Sequence, residues 1–256
     1  MTALFENIIF GPIRSRRLGL SLGINLLPTN SKLCNFDCIY CECGWNAENA
    51  TSRRFNNREE VSSRLKEVLS EMVATSTPPD VITFAGNGEP TMHPDFEAII
   101  DDTIALRDKL CPSAKVSVLS NATMIGRESV RRALAKVDNN ILKLDSAFDN
   151  TVQLINNPCG AYSVARTVAN LQLFDGNFIL QTMFLRGEYN GVKVDNTTEQ
   201  EIEAWLQIVA ELKPRQVMVY SIDRDTPCKT LEKVTREELQ TIAARVKSLG
   251  IECSVA

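Results

Sequence analysis

The feature that most constrains this chain is an alternation, repeated six times, of a short apolar run with a longer amphipathic one. The short runs are residues 22–27, 80–85, 115–119, 141–144, 178–185 and 216–222. They are rich in β-branched residues, almost continuously apolar, and bounded by polar residues or glycine, which suits strands of a parallel sheet covered by helices. The longer runs, 58–74, 94–107, 127–136, 161–174, 199–212 and 236–249, read as those helices. Val61, Leu65, Val68, Leu69 and Met72 share one stripe, and Pro94 suits a first helical turn. Thr235 and Glu238 have the spacing of a capping box, and Gly250 is placed to stop the last helix. Six such units imply right-handed crossovers and an α/β fold. Periodicity leaves two forms open: an open doubly wound sheet, or a curved barrel short of the eight units that usually take ~250 residues. Both forms put functional groups at the C-terminal ends of the strands.

The net charge of −4 argues against a partner held by bulk electrostatics, whether nucleic acid or an anionic membrane. One segment runs the other way. Residues 11–58 carry seven Lys/Arg (positions 14, 16, 17, 32, 53, 54 and 58) against three Asp/Glu (37, 42 and 48), a local +4. Arg14, Arg16 and Arg17 read either as a solvated turn or as an anion site near the cysteines for a phosphate, a carboxylate or an RNA backbone. The N-terminus lacks the pattern of a secretory leader, and no run approaches the ~18 apolar residues of a membrane span. A cytoplasmic protein with reduced thiols and no membrane partner is expected. There is a single histidine, His93, which excludes a multi-histidine metal site and reads as a helix-entry residue.

Of eight cysteines, Cys111, Cys159, Cys228 and Cys253 are scattered and read as packing or loop thiols. Cys34, Cys38, Cys41 and Cys43 fall within ten residues, directly after the first strand. Thiolates at this density read as metal ligands. A four-thiolate zinc site is one reading, although structural zinc usually takes two short pairs separated by a longer stretch. The other is an iron–sulfur cluster on three thiolates, with one iron open to a further ligand.

The C-x-x-x-C-x-x-C spacing, with aromatic Tyr40 before the third cysteine, closely resembles the signature of the radical S-adenosylmethionine (SAM) superfamily. The resemblance implies one [4Fe–4S] cluster on Cys34, Cys38 and Cys41, with Cys43 a neighbour of unassigned role. It implies that the open iron chelates SAM, and that one electron cleaves the sulfonium to give a 5′-deoxyadenosyl radical that abstracts hydrogen from a substrate. After the second strand, Gly86-Asn87-Gly88-Glu89-Pro90 resembles the superfamily's GGEP motif, with Asn87 where the motif's first glycine commonly stands. Gly86, Asn87, Gly88 and Glu89 are thereby expected to contact SAM. Ser120 and Asn121, ending the third strand, resemble its ribose- and carboxylate-contacting positions. Asp145 and Gln181, on later strands, complete with Tyr40 the expected cofactor set. Lys143, Ser146, Thr182 and the run Tyr220–Arg224 are further pocket candidates.

The pieces GPIRSRRLG, GNGEPT and VYSIDR extend the likeness along the chain. They resemble a stand-alone branch related to wyosine-type tRNA base synthases and molybdenum-cofactor cyclases. This implies an incomplete (β/α)6 TIM-like barrel with parallel strands, a single radical SAM domain over 1–256, with 1–20 a basic lead-in and 29–57 the cluster loop. It also implies an electron donor such as flavodoxin or ferredoxin, and an unidentified substrate: a small molecule, a peptide or RNA. A tRNA base-modifying enzyme and a non-enzymatic zinc or electron-transfer protein are the alternatives.

Overall fold

The computed structural model describes residues 4–15, 19–46 and 54–256. In chain order it places β1 (Ile9–Ser15), β2 (Gly19–Ile24), α1 (Arg58–Ala74), β3 (Val81–Phe84), α2 (Phe96–Leu110), β4 (Lys115–Ser120), α3 (Glu128–Lys136), β5 (Asn139–Lys143), α4 (Asp149–Asn156) and α5 (Val164–Gln172). There follow β6 (Ile179–Met183), β7 (Leu185–Tyr189), β8 (Val192–Asp195), α6 (Glu199–Leu212), β9 (Gln216–Tyr220), β10 (Leu231–Lys233), α7 (Arg236–Ser248) and β11 (Cys253–Val255). The main sheet has the order β1-β2-β3-β4-β5-β6-β9-β11. All its neighbours are parallel except β1 and β2, so the six expected strands lie side by side and in sequence order. The two end strands, β1 and β11, were not expected.

The period-two alternation explains the two faces. Leu22, Ile24, Ile82, Phe84, Val116, Val118, Leu180, Val217 and Val219 point outward into the main core under the helices. On the other face Leu119, Ile141, Ile179 and Met218, from four successive strands, pack on one another. These are same-face neighbours on adjacent strands, and their contacts cover the inner face of the sheet. Among the described residues β1 and β11 are the end strands of the sheet. α1 packs on α2, α2 on α3, α5 on α6 and α6 on α7, giving the outer layer.

Local chemistry sets the element ends. Asn57 caps α1 by accepting from the N–H groups of Glu59 and Glu60, and the helix buries Val61, Leu65, Leu69 and Met72. The capping box of Thr235 and Glu238 forms as its spacing foretells. Gly250, at φ +78°, follows the last helix. The run 178–185 is not one strand. Asn196 receives the N–H of Leu185 on its Oδ1 and donates to the carbonyl of Met183, which ends β6 and starts β7. β7 pairs with β8 and β10 in a separate antiparallel sheet. Among the described residues no helix is long and apolar enough to cross a membrane.

Candidate functional site

A cavity of about 340 Å³ opens at the C-terminal ends of the parallel strands. Cys34, Cys38, Cys41 and Cys43 line it, with Tyr40, Gly86, Gly88, Glu89, Ser120, Asn121 and Gln181. Ten of the twelve expected cofactor and metal residues therefore meet at one place; the two that do not are Asn87 and Asp145.

The cysteine loop is fixed by backbone bonds to the turn after β3. Leu33 donates to the Asn87 carbonyl at 2.8 Å, and Glu89 donates to the Leu33 carbonyl at 3.3 Å. Gly88 makes this docking possible: its φ is +145°, and a Cβ there would stand 1.8 Å from the Leu33 carbonyl oxygen. Gly88→Ala is expected to lower stability by roughly 3 kcal/mol or more, from backbone strain and the clash together. A urea denaturation series checks this, and an unchanged midpoint would contradict it.

Asn87 does not line the cavity. It is fully buried and turned away from the cavity. Its Oδ1 accepts from Phe5 N at 2.8 Å, and its Nδ2 donates to the carbonyls of Phe5 at 2.9 Å and Pro28 at 2.8 Å. It fastens the N-terminal segment to the strand ends, work that a glycine there could not do. Asp145 does not line the cavity either. Also buried and off the cavity wall, it accepts from Tyr40 OH at 2.5 Å, Asn156 Nδ2 at 2.7 Å and Met183 N at 2.8 Å. It orients Tyr40 from behind. Lys143, which does line the cavity, donates to Tyr220 OH at 2.7 Å and lies 5.2 Å from the ring centroids of both Tyr40 and Tyr220.

Glu89 is buried, and burial raises its carboxyl pKa against the hydrogen bonds that lower it. Its Oε1 accepts from Thr91 N, Thr91 Oγ1 and Ser120 Oγ, whereas Oε2 accepts only from Asn121 N. A carboxylate offers about four acceptor positions, so Oε2 keeps capacity toward the cavity. Asn121 also donates to Asn35 Oδ1 at 2.7 Å, joining the third strand to the cysteine loop.

The thiols are unequal. Burial raises Cys34 well above its usual range and Cys38 to about 11. Cys41 is lowered, first by a hydrogen bond from Cys43 and then by Lys32, and Cys43 is pushed up in turn. In the metal-free chain Cys41 should react with iodoacetamide at neutral pH before Cys34 or Cys38, and more slowly once Cys43→Ala removes the donor. Mass-spectrometric peptide mapping reads the order; equal labelling of the three would contradict it. All eight cysteines are free. Cys159 and Cys228 are not distant bystanders, because their backbone N–H groups hold the loop at the Asn35 and Ile39 carbonyls. Among the described residues no three His, Cys, Asp or Glu side chains close on a single ion position. Cys34, Cys38, Cys41 and Cys43 all line the cavity.

Other expectations sort differently. His93 is structural: Asp95 N donates to its Nδ1, which leaves Nε2 to donate to the Asn56 carbonyl at 2.8 Å. Thr182 bonds the Leu144 carbonyl and Ser146 the Glu201 carboxylate. The anion site expected near the cysteines from the arginine run does not form around Arg14. Arg14 lies opposite Leu20, at the end of β1 and β2 away from the cavity. Arg16, Arg17 and Arg53 fall outside the described residues. The basic residue that does reach the cysteines is Lys32, which the sequence reading passed over along with Asn156.

The family model of the Radical SAM superfamily matches residues 31–209. A UPF0026 protein of Synechocystis is 30% identical over 86% of this chain and 77% of its own length. A GTPase Obg of Brachyspira hyodysenteriae is 29% identical over 91% of this chain, which spans only 32% of that relative. Among solved structures, a radical SAM methyltransferase from Sphaerobacter thermophilus superposes with a TM-score of 0.68 at 12% identity, covering 92% of this chain and 65% of its own. Streptococcus suis SuiB bound to S-adenosylmethionine does so with a TM-score of 0.63 at 14% identity, covering 88% of this chain and 48% of its own. The strand order and the thiol-lined cavity thus meet an independent family assignment: the chain belongs to the radical SAM superfamily, whose members are enzymes using a [4Fe–4S] cluster and SAM.

Proposed function

We propose that this chain is a radical SAM enzyme in which Cys34, Cys38 and Cys41 hold one [4Fe–4S] cluster. The observation that carries the reading is the convergence of these three thiols and the Glu89 carboxylate on one cavity. The donor set fits the group: three unbridged thiols on one loop, leaving one iron for an outside ligand. When bound, the reduced cluster and SAM together supply one-electron cleavage of the sulfonium and a radical able to take hydrogen from a substrate.

This chain's residues bind, orient and exclude. Glu89 Oε2 is placed to accept from the SAM ammonium, and Gly86 and Gly88 let the backbone approach it. Ser120 and Asn121 flank Glu89 and offer polar contacts to the ribose and carboxylate. Tyr40 is held by Asp145 and Asn156 as a wall of the SAM site. Gln181, Met183 and Lys143 line the deeper side, where a substrate meets SAM. Arg224 and Glu42, both on the cavity lining, pair at 2.9 Å, and a small electron-donor protein such as flavodoxin or ferredoxin is the expected partner.

Metal analysis and spectroscopy of the anaerobically reconstituted chain test the reading. About four iron and four sulfide per chain, and an electron paramagnetic resonance (EPR) signal of the reduced cluster that changes when SAM is added, are expected. Zinc without sulfide, or a signal indifferent to SAM, would overturn it.

A further inference from the structure

Lys32 is the least economical residue of the cysteine loop. Its side chain is 2% exposed, a condition rare for lysine because an ammonium taken from water costs several kcal/mol unless it is paired. Nζ donates to Asp37 Oδ1 at 3.0 Å and to the Gly44 carbonyl at 2.8 Å. Those two bonds tie the start of the loop to its end. They leave a third N–H, and Lys32 lines the cavity together with Cys34, Cys38 and Cys41.

The pair is lopsided. Asp37, whose Oδ1 also accepts from Asn46 N at 2.8 Å, is 20% exposed, ten times more than its partner. The carboxylate therefore lies toward water, where its field is screened, and the ammonium lies on the dry side with the sulfurs. A staple between two loop positions needs donors and no charge; the buried charge is what the staple leaves unexplained.

We propose that the fixed positive charge of Lys32 sets the reduction potential of the cluster, favouring its reduced form. The inference rests on the assignment of the cluster to Cys34, Cys38 and Cys41. Adding an electron makes a thiolate-bound cluster more negative, so a cation in a low-dielectric wall stabilises the reduced state more than the oxidised one. The Asp37 carboxylate at 3.0 Å is the counter-charge that holds the ammonium in this buried position. The positive end of this pair faces the sulfurs, so removing either charge should move the potential, and in opposite directions.

The test is an EPR-monitored redox titration of the full chain, reconstituted anaerobically, as wild type, Lys32→Gln, Lys32→Arg and Asp37→Asn, after iron and sulfide analysis has shown equal loading. At a fixed potential Lys32→Gln should show a reduced-to-oxidised ratio about tenfold lower than wild type, equivalent to ~59 mV for a one-electron couple. Lys32→Arg should stay within about threefold of wild type, and Asp37→Asn should shift toward the reduced form. A loop staple alone would move neither ratio, or both the same way, and either result would overturn the proposal. If Lys32→Gln does not load, an unmoved Asp37→Asn overturns it by itself. A wild-type chain that takes up no cluster would refute the parent assignment, and this inference with it.

Discussion

Replacing Cys34, Cys38 or Cys41 singly by alanine should abolish bound iron and formation of 5′-deoxyadenosine, with no product above background. The loss should exceed the roughly 100-fold that removal of an outer-shell partner typically costs, because each change deletes a direct ligand. Cys43→Ala and Cys159→Ala should keep the iron. Cys43 bonds the Gly86 carbonyl at 3.4 Å, and Cys159 holds the loop through its backbone, which alanine retains. Stability should respond little at Cys34 and Cys41, because both are only partly buried on the cavity wall and the loop has backbone bonds of its own. Iron and sulfide counts on the five variants give the readout. A single-alanine variant at 34, 38 or 41 that retains full iron would contradict the ligand assignment.

The second large effect concerns Asp145, and it should appear first as lost stability. Asp145→Ala removes the acceptor of Tyr40, Asn156 and the Met183 amide, and leaves buried Lys143 without the carboxylate 3.5 Å away. Breaking a buried ion pair from one side typically costs about 3–5 kcal/mol. Two of its partners have raised pKa values. Burial raises the Tyr40 pKa, and the nearby Asp145 charge raises it further. Lys143 is lowered by burial, but Asp145 and Tyr220 more than offset this and hold it charged. The sign for Lys143 follows: its folded pKa lies above the ordinary value, so its stabilising contribution is complete below the ordinary lysine range. That contribution is lost only as pH rises through the folded value, and the wild type should show no stability change from Lys143 across neutral pH. Urea unfolding of Asp145→Ala and Asp145→Asn measures the effect. A loss under about 1 kcal/mol for the alanine variant would show that the network is slack.

Much of this was legible in the sequence, for definite physical reasons. A six-fold strand–helix rhythm, set by hydrophobic periods of two and 3.6, marked the six parallel strands, and the barrel implied by the resemblance supplied their order. The cysteine spacing and the two glycines before Glu89 located the cavity, because these groups must approach one another through close backbone contacts. Other elements carry no such period. α4 is an eight-residue helix whose buried positions are Val152, Ile155 and Asn156, too few to mark a stripe. With α4 went Asn156, which reaches Cys38, Tyr40 and Asp145 through one amide. β11 is three residues long and β1 contains glycine and proline, so neither reads as a strand. The roles of Asn87, Asp145 and Lys32 were hidden for a further reason. A polar residue at a strand end or loop start can face a ligand or support the residue that does, and only the direction of its side chain decides.

The most direct measurement is a reaction. The chain, reconstituted anaerobically with iron and sulfide, is reduced with dithionite in the presence of SAM, and the mixture is resolved by liquid chromatography and mass spectrometry. Formation of 5′-deoxyadenosine and methionine, dependent on reductant and absent from the Cys34→Ala, Cys38→Ala and Cys41→Ala variants, is the predicted result. A loaded, reducible cluster that leaves SAM intact would contradict the account.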